Sequence, residues 1–333
     1  MTLESPLPRR ILVAGATNVG KTCLLAAFER AVLQNPVRGP RLSLFPGRSS
    51  DDPDTVIPPA TDLFLNKAAE FFLRGVPFDA TLSPAGFEFS LGFQDKSSEM
   101  VDVYQFADAP GEFTSPSLAS VPEQRRQFIE ACRKGYALVY CFEALPEEDP
   151  AGRLVNLELN LTRLLTNLTM ASGRLNLTRM LFLLTKIDIP VAVFCDRMER
   201  RGHLCPLSPM QLAQRLDPLE QMRSIVGSET IAKFLAQNSE SDLGVGICSA
   251  FGFDRETGQP MVSPYSGLPR RRPDETPEEH YRRWAPFGVR EMLLFLAGGD
   301  GSPYVKRIGP ADADVDDQIH VSYLSHGSRH ERL

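Results

Sequence analysis

The chain has 333 residues, 42% of them hydrophobic and 23% charged, with a net charge of −6 at pH 7. This composition supplies ample material for a globular core, and its acidic balance excludes broad non-specific binding to nucleic acid, which needs clustered Lys and Arg. Six cysteines stand scattered at 23, 132, 141, 195, 205 and 248 with no C-x-x-C pair, so they read as small buried hydrophobes and not as a zinc site or a disulfide framework.

Residues 1–10 hold no apolar stretch of the kind that makes a secretory signal. The most apolar run, 180–194, is interrupted by Lys186 and Asp188 and is too short to cross a bilayer. No transmembrane segment and a reducing, cytoplasmic setting are therefore expected. The acceptor triplets at Asn160, Asn167 and Asn176 are read as accidents of a Leu/Asn/Thr-rich stretch.

In chain order, 9–14 reads as a strand and 20–34 as a helix. Between them lies Gly15-Ala-Thr17-Asn18-Val19-Gly20-Lys21-Thr22, which fits G-x-x-x-x-G-K-[ST]. A phosphate chain is dense negative charge, and a glycine-rich turn can surround it with inward-pointing backbone N–H groups while the helix that follows aims its positive end at the same anion. The phosphate-binding residues expected are Gly15, Thr17, Asn18, Val19, Gly20, Lys21, Thr22 and Cys23. Lys21 is expected to reach the β- and γ-phosphates and the Thr22 hydroxyl to bind Mg²⁺.

Residues 36–59, rich in Pro, Gly, Ser and Asp, read as loop, and 61–74 shows helical periodicity. The alternation over 87–93 and the run 101–107 predict a hairpin at a sheet edge. A capping box at Ser120 opens a helix to about 134, and 136–142 reads as a buried strand. The pattern continues with an amphipathic helix over 153–170, a buried strand over 179–185, helical pieces over 190–237 and a last buried strand over 245–249. Residues 252–284 look like a charged, solvated loop around Arg270-Arg271-Arg272. A helix over 288–297 closes the series, and the acidic tail 298–333 is expected to be poorly ordered.

Strands alternating with helices demand an α/β fold with a doubly wound, mostly parallel sheet and one antiparallel edge strand. The expectation is one domain over 9–297 with insertions at about 36–80, 190–237 and 252–284.

Ligands in such a sheet sit outside the carboxyl ends of the strands, and three further motifs fall there. Asp108 can hold a Mg²⁺ shell, and Gly111 can offer its N–H to a γ-phosphate. In Thr185-Lys186-Ile187-Asp188 the Asp188 carboxylate can accept two hydrogen bonds from the N1–H and exocyclic amine of guanine, a donor pair that adenine lacks. The stem of Lys186 is expected over the base, and beyond Ser249 a backbone N–H at Ala250 can reach the guanine oxygen.

The order of these four motifs resembles the P-loop GTPases of the translation-factor-related class, over roughly residues 9–297. The details Asp108-Ala-Pro-Gly-Glu112 and Ala285-Pro-Phe-Gly-Val-Arg-Glu291 resemble the bacterial double-GTPase families. The resemblance implies a Ras-like P-loop fold, GTP and GDP as ligands, Mg²⁺, and a partner in the form of an effector or a second GTPase. The chain departs from that pattern at Thr185, where the family usually has Asn to tie the base loop to the phosphate loop. The threonine that closes over the metal is sought among Thr55, Thr61 and Thr81, and Thr81 is favoured because it stands just before the strand at 87–93. Glu112 stands where relatives place Gln, and reads either as a water-positioner or as a helix-start residue. Asn18 reads either as a ligand helping to hold K⁺ or as a loop-stabilising amide. Arg74, Arg125 and Arg126 are candidate arginines in cis for hydrolysis. The function expected is Mg²⁺-dependent GTP hydrolysis by a switch whose moving loops are 36–82 and 109–122, with Lys21, Thr81, Gly111 and Glu112 as the catalytic set. A non-hydrolysing GTP-binding module and an ATPase or kinase are the rival readings.

Overall fold

The computed structural model describes residues 9–16, 18–33, 41–45, 47–48, 56–57, 70–71, 89–94, 100–108, 135–144, 177–203, 205–226 and 242–308. Its strands are β1 (Arg9–Gly15), β2 (Arg41–Phe45), β3 (Gly47–Arg48), β4 (Val56–Ile57), β5 (Phe89–Gln94), β6 (Met100–Asp108), β7 (Ala137–Glu143), β8 (Arg179–Thr185), β9 (Asp242–Ile247), β10 (Ser249–Asp254), β11 (Trp284–Phe287) and β12 (Val305–Arg307). Its helices are α1 (Lys21–Ala26), α2 (Phe28–Leu33), α3 (Asp188–Arg200), α4 (Pro209–Ala213), α5 (Pro218–Val226), α6 (Pro277–Arg283) and α7 (Val289–Leu296).

The main sheet runs β12-β9-β8-β7-β1-β6-β5-β2. The strands β6, β1, β7, β8 and β9 are mutually parallel, and β5 is reversed against β6. This is the α/β, doubly wound, mostly parallel arrangement that the alternating pattern demands. Parallel strands buried on both faces read as unbroken apolar runs, as in Ala137–Glu143 and Arg179–Thr185.

Alternate residues of those runs serve opposite faces. Leu12, Leu138, Tyr140, Phe182 and Leu184 pack with Val191 and Cys195 of α3 and with Leu212 and Met222 beyond it. Ile11, Val13, Val139, Leu181 and Leu183 pack with Leu24, Leu25 and Phe28 on one side and with Met292, Leu293 and Phe295 of α7. The sheet is thus covered twice, and the carboxyl ends of its parallel strands form one rim.

Several elements depart from the sequence expectation. The helix read over 20–34 is divided at Ala27 into α1 and α2. Within the stretch 36–59, read as loop, Arg41–Phe45 forms a strand that pairs with β5, so the 89–108 hairpin is not the sheet edge; β2 lies outside it. The Leu42/Leu44 alternation was outweighed by its Pro- and Gly-rich flanks. The last parallel strand ends at Ile247, and the chain then forms a separate hairpin-like pair in which Ser249–Asp254 runs antiparallel to Trp284–Phe287. Residues 252–284 are therefore not simply loop: Thr276 caps α6 with a reciprocal bond to Glu279. The tail is ordered through its first part, since Val305–Arg307 pairs with β9. Residues 309–333, the helices read over 120–134 and 153–170, and all of 61–74 but residues 70 and 71 lie outside the described residues.

The charged run is not solvated throughout. Arg283 is 8% exposed; it donates to Asp254, and through Nε and Nη2 to Glu275 at 2.5 and 2.7 Å. His280 Nδ1 lies 2.9 Å from the same Glu275. Burial by itself raises the Glu275 carboxyl, but hydrogen bonds from Arg283, His280 and the Arg272 N–H outweigh it and hold the group at about 2. No helix among the described residues is long and apolar enough to cross a membrane.

Candidate functional site

The first strand delivers the glycine-rich turn. Gly15 ends β1 with φ +145°, and a Cβ there would stand 2.5 Å from the Cys141 carbonyl oxygen of β7. Only glycine fits that approach. Asn18 has φ 66° and Gly20 φ 93°, so the turn curls left-handed into α1. The residue that starts that helix, Gly20, brings no side chain to cap it. Lys21 is 6% exposed, and its ammonium donates to the carbonyls of Gly15 at 3.0 Å and Ala16 at 2.9 Å. A cation is thereby held across the mouth of the turn.

The end of β8 supplies the second piece. The buried Thr185 hydroxyl lies 2.5 Å from the Val19 carbonyl and 2.8 Å from that of Phe142. Threonine thus makes the tie between the two loops for which the resemblance implies Asn. Lys186 takes φ 59°; its stem passes 3.7 Å from where a Cβ on Gly20 would be, and its ammonium pairs with Glu143 at 3.0 Å.

Asp188 opens α3 and is 3% exposed. Burial pushes its carboxyl up to about 6, opposed by a hydrogen bond from Ser249, by its own N–H and by the Lys186 charge. It is therefore mostly ionised at neutral pH yet poorly hydrated, ready to accept hydrogen bonds from a ligand. Ser249 is set for its part: its oxygen accepts the Gly252 N–H at 2.8 Å, leaving its proton for Asp188.

The loop after β9 is fastened from both sides. The Ile187 N–H donates to Cys248 O at 3.2 Å, the Cys248 N–H donates to Leu184 O at 2.8 Å, and the Trp284 indole donates to Ala250 O at 2.9 Å. Gly20 and Cys23 of the first turn, Lys186 and Asp188, and Ser249 and Ala250 line one cavity of about 220 Å³.

Three of the four predicted motifs therefore converge. For the fourth, β6 lies beside β1 with Asp108 in register with Val13, which brings the backbone of Asp108 to the same rim. The Asp108 side chain, Thr17, Thr55, Thr61, Thr81, Gly111, Glu112, Arg74, Arg125 and Arg126 lie outside the described residues.

The far wall was not foreseen. Phe71 stacks on Phe251 with centroids 4.4 Å apart, and Val262, Ser263 and Pro264 complete that side. Phe71 belongs to an apolar helical stripe that reads as core, and nothing local in the sequence points it at a cavity. Trp284, the sole tryptophan, ends the stretch that reads as a solvated loop, yet it is buried and braces Ala250.

No protein-family model matches the chain, and no curated protein does. Among solved structures, a chain of the signal recognition particle receptor SRb-GTP/SRX complex from Chaetomium thermophilum is similar, at 14% identity and a TM-score of 0.36, over 73% of this chain and 94% of that one.

Proposed function

We propose that the chain binds guanine nucleotides and hydrolyses GTP to GDP and phosphate, acting in the cytoplasm as a nucleotide-controlled switch for a partner protein, either an effector or a second GTPase. The observation that supports this most is that the buried Asp188 carboxylate and the lysine-bearing turn face one cavity. In the proposal Asp188 accepts the N1–H and amine of guanine, Lys186 covers the base, and Ser249 and Ala250 close its oxygen side. Lys21 exchanges its two carbonyl partners for phosphate oxygens, aided by the N–H groups of Gly15 to Cys23.

The Thr22 hydroxyl, in the first turn of α1, and the Asp108 carboxylate, at the end of the strand paired beside β1, are hard oxygen donors of the kind Mg²⁺ takes. Together with Thr81 they are the residues assigned to hold it, and bound there it neutralises charge on the β- and γ-phosphates. Gly111 is assigned an N–H to the γ-phosphate and Glu112 the attacking water. Asn18 keeps two readings, a loop-stabilising amide or a K⁺ ligand, and equal rates in K⁺ and Na⁺ would leave only the amide.

The test is the nucleotide retained by purified protein, followed by phosphate release from GTP with and without Mg²⁺. Retained guanine nucleotide and slow, Mg²⁺-dependent release are expected. Tight GTP binding without release would reduce the protein to a non-hydrolysing nucleotide-binding module.

A further inference from the structure

Cys195 and Cys205 were expected to be inert core fillers. In the fold they face one another: their sulfurs lie 3.5 Å apart, across the turn that joins α3 to α4. Cys195 lies on α3, 4% exposed, and packs in the core beneath the sheet. Cys205 is partly exposed and donates to the Leu207 carbonyl at 3.1 Å. The two thiols therefore differ in access, one open to solvent reagents and one behind it. Gly202, between them, takes φ 74°, and a Cβ built there would meet nothing within 4 Å.

We propose that Cys195 and Cys205 form a reversible dithiol–disulfide site that reacts with low-molecular-weight disulfides. The Cys205 thiolate attacks one sulfur of the small disulfide, whose S–S bond breaks, and one thiolate leaves and takes up a proton. Cys195 then gives up its proton and attacks the Cys205 sulfur, forming the internal bond and releasing the second small thiol. Two electrons pass from the protein dithiol to the small disulfide, which becomes two thiols.

The order of attack follows from the surroundings. Burial, then the hydrogen bond and charge of Cys205, push the Cys195 thiol up to about 12, so it does not react first. Capping the Cys205 sulfur removes its charge and its hydrogen bond to Cys195, which makes the second step easier than the first would be at that thiol.

The bridge also bears on the cavity. The same turn leads into Ser208 and Met210; the Met210 N–H donates to Gly258 O at 3.0 Å. Residues 254–267, which carry Val262, Ser263 and Pro264 of the cavity wall, are thus tied to the segment that oxidation would fix.

The test treats the full-length reduced protein with oxidised glutathione, then traps remaining thiols and maps peptides. The expected product loses about 2 Da as one bridge between Cys195 and Cys205, restored by dithiothreitol. C195S should stop as a mixed disulfide on Cys205, and C205S should leave Cys195 unreacted. Phenylarsine oxide, a reagent for paired thiols, should protect these two from alkylation together in the unmodified chain, which needs no variant to fold. A bridge joining any other pair, or wild-type protein that stops as a Cys205 adduct, would overturn the proposal.

Discussion

The Thr185 hydroxyl lies 2.5 Å from the carbonyl of Val19, which fastens the loop ending β8 to the turn that carries Lys21. One hydroxyl has one proton to share between this carbonyl and that of Phe142, 2.8 Å away. Thr185→Val keeps the shape and removes the tie, at about 1–2 kcal/mol, or roughly tenfold in affinity for GDP. Thr185→Asn offers two N–H donors and should match or exceed the wild type. Calorimetric titration with GDP compares the three.

Asp188 sets opposite demands on stability and binding. Its carboxyl stands at about 6 when folded against 3.8 when free, so the folded state holds more protons between those values. Stability from this group is greatest below about pH 4 and declines as pH rises to 6. Asp188→Asn should therefore stabilise the ligand-free protein at pH 7.5 by on the order of 2–3 kcal/mol, seen as a higher thermal midpoint. GTP needs the ionised form, so its affinity should fall as pH drops below about 6 in the wild type. An unchanged midpoint in the variant would show that the carboxylate is not the buried charge described above.

Lys21, the cation proposed for the phosphate side, rests on the carbonyls of Gly15 and Ala16. Charge-assisted hydrogen bonds are worth about 1.5–3 kcal/mol each. Lys21→Ala should weaken binding of GTP and GDP by roughly a hundredfold or more, while its effect on nucleoside affinity stays small. Fluorescence from the sole tryptophan, Trp284, bonded to the cavity-lining Ala250, gives the readout.

The buried Arg283 holds two buried carboxylates, Asp254 and Glu275. Arg283→Met removes the buried guanidinium from both, leaving Arg272 on Asp254 and His280 with the Arg272 N–H on Glu275, and should cost about 3 kcal/mol in urea unfolding. Because Glu275 stands at about 2 folded and 4.5 free, its stabilisation is complete above pH 4.5 and lost as pH falls toward 2. The variant, with His280 and the Arg272 N–H still on Glu275, should show a weaker acid-side decline.

Local chemistry made some of this legible. Gly15, Gly20 and Lys21 sit within one turn, and Asp188 lies three residues from Thr185, so spacing alone set them on strand ends. The unbroken runs at 137–143 and 179–185 announced buried parallel strands. Contacts between distant segments left no local trace: the Phe71–Phe251 stack joins residues 180 positions apart, and the Cys195–Cys205 pair has no motif spacing. Val305–Arg307 is three residues with two charges, and it becomes a strand because β9 offers it an edge. Pro286 within Trp284–Phe287 offers no N–H to a sheet; β11 pairs with β10 alone, so the missing donor is tolerated.

Guanine recognition by Asp188 is tested most directly by displacing a fluorescent GDP analogue with unlabelled GTP, ATP and xanthosine triphosphate, in wild type and in Asp188→Asn. The wild type should release the analogue to GTP and ignore ATP. The variant, whose amide donates toward the second ring oxygen of xanthine, should bind xanthosine triphosphate and lose GTP by at least a hundredfold, on the scale of unmatched buried polar groups. Equal displacement by ATP, or a variant that still prefers GTP, would contradict the assignment of the cavity to guanine.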